Sequence, residues 1–430
     1  MKNRLLVLGI WLLLCPVYVL GQNISITGKT NVPNALVRLL AYDEMFTCEQ
    51  TQIAETQSDK DGKFTLKADI TDITPSQIAI NLERVDVILK PNGIYDFEIV
   101  VPEQNEGSYF EMEQPYLKIN SIDDDGFYSQ MIATQTFIDD FFYDNFNQLY
   151  RGRKMCLLDT LDNQLIRNVG KIEFQYIRDY VKYRKASVVM TYNKNKVLSE
   201  YIDNQEVLYC QEAYMDVFFD IVKVNVMTDD FLSRNNQVAE LVKMQNLRKA
   251  FYENQKAKNV VYSELKTIEN TSKYQKNKLI ARNLAKQLEK LSHDSEAPDF
   301  TLKDKNGKTV KLSDYKNTMV LLQFVDRRSS LTEHEFAVLN DLQRQWNDTI
   351  EVITIATAES FQDYVQMFDN KGFKWQLLNL GDNILLLEDY KIKMCPAYVI
   401  LKKNSRIGMS PAPSPDHDLE KHVRRISKYL

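Results

Sequence analysis

The sequence is short of sulfur and of positive charge. Its 430 residues include 5 cysteines, and no Cys-x-x-Cys occurs, so the closely spaced dithiol that ordinary thiol exchange uses is missing. Cys15 lies in the apolar N-terminal stretch, while Cys48, Cys156, Cys210 and Cys395 are scattered over the remainder. Such spacing is not a disulfide framework, even in an oxidising compartment. Buried small hydrophobes are expected instead, with Cys156 and Cys210 the pair placed to bridge inside a shared helical region. A net charge of -5 provides no clustered surplus of Lys and Arg to neutralise phosphates, which argues against a nucleic-acid partner. Beyond the N-terminal stretch no segment is apolar enough to cross a bilayer.

That stretch, MKNRLLVLGIWLLLCPVYVLGQ, has a basic start, an apolar run and the small-residue ending Val19-Leu20-Gly21. It reads as a secretory signal peptide over residues 1–21, with Gln22 opening the mature chain. Leu14 before Cys15 and Pro16 after it disfavour a lipoprotein. An uncleaved anchor is the alternative, and it would be the chain's contact with a membrane. Losing Lys2 and Arg4 with the leader makes the mature protein more acidic, and an exported, soluble protein is expected.

The length exceeds what one core usually serves, so several domains are expected. Over residues 22–102, short alternating runs (ISITGKT, ALVRLLAY, KFTLKADI, QIAINL, VDVILK, YDFEIVV) are separated by turn residues, the pattern of a small antiparallel β-sandwich. Asp59-Lys60-Asp61-Gly62 suggests a calcium loop, but Ile70 stands where the bidentate Glu is needed, so a hairpin turn is expected. Residues 103–292 begin with an acidic connector and continue in long patterns with apolar residues three and four apart, which predict helices. Their Tyr and Phe are read as core packing rather than as a ligand-stacking surface. The strand order and TQSDKDGKFTL resemble the N-terminal sandwich, itself similar to carboxypeptidase-regulatory-like domains, that precedes thioredoxin-like domains in exported proteins of Bacteroidetes-type bacteria.

From His293 to Leu430 the pattern becomes β-α-β-α-β-β-α. APDFTL, NGKTVKLSDYK and a proline before the YVIL strand resemble the TlpA-like and AhpC/TSA-type branch of the thioredoxin superfamily. The expected fold class is therefore multi-domain α+β, with a C-terminal thioredoxin-like α/β domain. In that family the buried strand runs into F-W-A-S-W-C-x-P-C-R-x-E. Placing the family Phe on Phe324 puts the two cysteines on Ser329 and Thr332 and the Glu on Glu335, without a gap. A hydroxyl with no evident base replaces neither thiol. The peroxiredoxin form P-x-x-x-T/S-x-x-C is absent from FVDRRSSLTEHEF as well.

Ser329 or Ser330 with His334 and either Glu335 or Asp326 supplies the residue types of an acyl-transfer triad. They are crowded into one turn, with no oxyanion element readable, which speaks against that chemistry. Arg327 and Arg328 make the loop basic and are candidates for holding an anion or a partner carboxylate. The resemblance further implies that Pro396 is the cis-proline facing the active-site turn, with Cys395 against the nucleophile position. Cys395 is then either a small filler or a solitary reactive thiol.

No cofactor or metal is implied. The expected function is non-catalytic protein or peptide binding in the periplasm or cell envelope of a Gram-negative bacterium, using Pro396, Cys395, Arg327, Arg328 and Glu335. The alternatives are a thiol-disulfide oxidoreductase acting through Cys395 or other cysteines, and a structural component of a surface assembly.

Overall fold

A computed structural model describes residues 23–102, 114–253, 255–326, 332–346, 350–392 and 394–427. The expected leader, Arg327, Arg328, Ser329 and the side chain of Thr332 lie outside the described residues.

The N-terminal strands are β1 (Ile24–Thr30), β2 (Leu36–Tyr42), β3 (Gln50–Gln57), β4 (Lys63–Ala68), β5 (Thr74–Ile80), β6 (Glu83–Leu89), β7 (Ile94–Val100) and β8 (Tyr116–Asp123). They form two four-stranded sheets, β4-β1-β7-β8 and β3-β2-β5-β6. Alternation puts Ile26, Val37, Leu39, Phe64, Ile78, Val87 and Phe97 between the sheets, as a half-buried strand requires. Two strands escape the expected pattern. β3 is polar except at Ile53 and Ala54, and β8 extends the sheet beyond the expected boundary at 102 by pairing with β7.

The Asp59–Gly62 turn is also not a hairpin, because β3 and β4 belong to different sheets. The Asp59 carboxylate accepts from the N–H groups of Asp61 and Lys63 at 2.9 and 2.8 Å. Gly62 has φ +77°, and a Cβ there would lie 1.8 Å from the Thr30 carbonyl, so glycine is required on both conformational and steric grounds.

Helices fill the middle of the chain, among them Phe127–Asp144, Cys156–Asn168, Gln175–Met190, Glu212–Lys223, Asn236–Tyr252, Lys258–Thr271 and Gln275–Glu289. Their aromatic stripes turn inward. Tyr183 and Tyr214 are buried and meet edge to face at 4.9 Å, the geometry that aromatic quadrupoles favour. Cys156 and Cys210 form no disulfide, and Cys48 and Cys156 are exposed rather than buried. Among the described residues no helix is long and apolar enough to cross a membrane.

The sandwich is joined to the helices by the loop Asp43–Glu49. Phe46 enters the helical core beside Phe218 and Phe219, and the Arg248 guanidinium lies 4.8 Å above its ring while donating to its carbonyl. Glu44, wholly buried, folds the loop by accepting from the N–H groups of Phe46 and Thr47 at 2.7 and 2.8 Å and from the Thr47 hydroxyl. Asn283 of the last helix also donates to it.

The C-terminal strands are β9 (Thr301–Asp304), β10 (Thr309–Lys311), β11 (Met319–Val325), β12 (Ile350–Ala356), β13 (Gln376–Asn379), β14 (Ala397–Lys402) and β15 (Arg406–Ala412). Their order is β10-β9-β13-β12-β11-β14-β15. β11 and β12 are parallel and sit inside the sheet, which is why MVLLQFV and ITIA read as continuous apolar runs rather than alternating ones.

This domain also touches the sandwich. Arg38 on β2 is 3% exposed and makes a bidentate pair with Glu388 on the short helix Leu385–Asp389, at 2.7 and 3.1 Å. Arg84 on β6 donates to the same carboxylate at 2.9 Å. Burial would raise the Glu388 pKa, but the hydrogen bonds from Arg38 and Arg84 outweigh it and hold the carboxyl below its usual range.

Removing Glu388 would leave the buried Arg38 charge without a partner, a change that costs about 3–5 kcal/mol in comparable sites. Glu388→Ala is expected to lower the urea midpoint, whereas Arg38→Met/Glu388→Met restores most of the loss. A depressed carboxyl contributes stability that is present above the unfolded value of about 4.3 and is lost as pH falls through the lower folded value. Acid should therefore erase the difference between wild type and Glu388→Ala. A single variant as stable as wild type at neutral pH contradicts this account.

Candidate functional site

β11 delivers the candidate site. Its last pairs with antiparallel β14 are Gln323 with Tyr398 and Phe324 with Ala397. Cys395 and Pro396 immediately precede Ala397, so they lie at the end of β14 that pairs with the C-terminal end of β11. The Cys395–Pro396 peptide bond is cis. Cys395 and Ala397 are partly buried against the cluster that contains Phe324 and Tyr390, and Met394 just before them is 51% exposed. Residues 327–331 lie outside the described residues.

The helix Thr332–Trp346 follows. Glu335, in its first turn, is buried, and it accepts a hydrogen bond from the Tyr398 hydroxyl at 2.8 Å. It thus faces inward and is not part of an open binding surface. His334 is exposed on the same turn, so neighbours in sequence are divided between core and solvent. Ser329 and Ser330, the serines of the triad considered above, lie outside the described residues.

Behind Glu335 runs a chain of polar contacts that the sequence reading missed. Trp375 Nε1 donates to the Thr354 hydroxyl at 3.0 Å, Thr354 donates to Gln323 Oε1 at 2.8 Å, and Gln323 Nε2 donates to the Tyr398 hydroxyl at 3.0 Å, which in turn donates to Glu335. Gln323 and Thr354 are fully buried, so each must be paired to avoid a desolvation penalty. The signal was present, since each is a polar residue within an apolar strand run. Burial raises the pKa of Glu335, and Asp416 adds to the rise, whereas the Tyr398 hydrogen bond, His334 and His417 act against it. Burial and the Glu335 charge together push the Tyr398 phenol up.

A raised carboxyl gives stability that is full below the unfolded value of about 4.3 and is lost as pH climbs through the folded value. Glu335→Gln keeps an acceptor for Tyr398 without the charge. Relative to wild type it should gain stability between about pH 4 and about pH 7.5, by about 1.4 kcal/mol for each unit by which the carboxyl is displaced. Urea titrations at both pH values measure this, and a difference independent of pH would refute it.

Residues 294–413 match the AhpC/TSA family. The thiol-disulfide oxidoreductase ResA of Bacillus subtilis (strain 168) is 24% identical over 120 residues, covering 28% of this chain and 66% of that protein. Among solved structures, a thiol:disulfide interchange protein from Bacteroides sp. is 22% identical with a TM-score of 0.29, covering 32% of this chain and 90% of that one. The exposed lipoprotein thioredoxin of Streptococcus pneumoniae strain TIGR4 is 23% identical with a TM-score of 0.25, covering 30% and 99%. The helix following β11, the cis-proline before β14 and the match of residues 294–413 to the AhpC/TSA family identify the C-terminal domain as thioredoxin-like.

Proposed function

We propose that this is an exported cell-envelope protein whose thioredoxin-like domain holds an extended protein or peptide segment at the Met394–Pro396 loop without dithiol exchange. The observation that carries this reading is a pairing of presence and absence. The cis-proline loop is kept at the end of β11, while the aligned sulfur positions are Ser329 and Thr332. Backbone groups beside a fixed loop can pair with an extended segment without any sulfur, and exposed Met394 adds an adaptable apolar contact. Export is supported by the leader-like N-terminus and by a relative described as an exposed lipoprotein thioredoxin.

A second reading, thiol-disulfide exchange through Cys395, is favoured by the relatives named for that activity and by the partial exposure of this thiol. Insulin reduction in the presence of dithiothreitol separates the two. Turnover is expected at background in wild type and unchanged in Cys395→Ser, and turnover abolished by that substitution would establish the second reading. In parallel, fluorescence anisotropy with a carboxymethylated unfolded protein should show binding that Met394→Asp weakens about tenfold, the loss expected when one well-packed contact of roughly 1.4 kcal/mol is removed. Equal binding by wild type and Met394→Asp would rule out the loop as the binding element.

A further inference from the structure

Where the sandwich, the helices and the C-terminal domain meet, they enclose a cleft of about 520 Å³. This volume is within the range of small-molecule sites. The cationic side chains on its wall come from all three parts: Arg38 and Arg84 from the sandwich, Lys286 and Lys290 from the last helix and its cap, and Lys391 from the C-terminal domain. Against them stand Glu49 and Glu388.

The acidic groups are already engaged. Glu388 is shared by Arg38 and Arg84, and Glu49 accepts from the Gln287 amide at 2.9 Å. Lys290 reaches Asp389 at 3.5 Å, at the exposed rim. Among the described residues the ammonium groups of Lys286 and Lys391 take part in no ion pair. Nε of buried Arg38 has no protein acceptor either. Five cationic side chains thus share a concave space with two carboxylates, an excess of positive charge that raises the local concentration of anions. The Lys391 pKa is lowered, first by burial and then by the like charge of Lys290, with Glu49 opposing.

We propose that this cleft is a binding site for a small multivalent oxyanion, phosphate-borne or carboxylate-borne, held by Lys286, Lys391 and Arg84. Gln50 and Gln52 on the same wall each keep one amide proton for such oxygens, the other being donated to Gln77 and Glu55. The ligand would draw one cation from each of the three parts, so binding would tighten their docking. This site is separate from the Met394–Pro396 loop and does not depend on the function assigned to that loop.

Isothermal titration of the full-length mature protein with pyrophosphate and with citrate, each against sodium chloride at matched ionic strength, provides the test. Saturable binding of one equivalent is expected, with affinity falling at least tenfold in Lys286→Gln/Lys391→Gln and unchanged in Lys303→Gln, a distant exposed lysine on β9. Because the two altered lysines make no ion pairs, circular dichroism and the urea midpoint of the double variant should match wild type, which separates lost binding from lost folding. Pyrophosphate binding alone assigns a phosphate-borne ligand, and binding of citrate as well assigns the broader polycarboxylate class. No saturable heat with either anion, or equal affinity in the double variant, would overturn the proposal.

Discussion

Arg38 cannot be buried alone. It sits on the outer face of an inner strand of the sandwich, where the side chain has almost no access to water, and an unpaired guanidinium there would cost several kcal/mol. The sandwich places its own backbone carbonyl at Asn81 against this side chain, but the counter-charge arrives from Glu388, 350 residues further along the chain. Gln50, Gln77, Arg84 and Asp86 continue the same polar face through side-chain hydrogen bonds. This face, which an isolated sandwich would give to solvent, is therefore one side of a domain interface. The Asp43–Glu49 loop holds the other side, and the three parts close on one another instead of forming a string.

This arrangement explains what the sequence disclosed and what it withheld. Strands such as KFTLKA alternate because one face is packed and the other is wet, and the central helices carry their period for the same reason. β3, QTQIAETQ, shows little apolar alternation because it is an edge strand with a register shift against β2, and only Ile53 and Ala54 pack on the core. β8, YLKINSID, is an edge strand mostly open to solvent, so backbone pairing with β7 holds it and side chains signal little. The cis-proline and the register of Glu335 were legible through family resemblance. Contacts between domains such as Arg38 with Glu388 have no local signature, because charged residues on a strand or helix look the same whether they face water or a partner 350 residues away.

The inward course of Glu335 has a structural explanation. A carboxyl in the first turn of the helix after β11 could suggest chemistry. Hydrogen-bond satisfaction accounts for it directly: Gln323 and Thr354 are buried between strands, Tyr398 receives the Gln323 amide, and the phenol proton then needs an acceptor, which is Glu335. Taking away the last member would strand a buried donor at a cost of about 1–3 kcal/mol. The residue has a structural reason to persist whether or not sulfur chemistry occurs nearby.

Position along the chain connects the domain interface to the candidate site. Glu388 lies in the last turn of a short helix, Tyr390 packs against Phe324 at 5.3 Å and donates to the Pro298 carbonyl, Lys391 lines the three-domain cleft, and Met394, Cys395 and Pro396 follow. A segment anchored at Glu388 and Tyr390 leaves the loop few residues over which to adjust before β14 begins at Ala397. Any group that holds Lys391 in the cleft therefore restricts the same short segment that shapes the loop. Thermodynamic linkage makes that relation reciprocal: if the cleft and the loop favour one arrangement of residues 388–396, occupation of either strengthens binding at the other by the same factor.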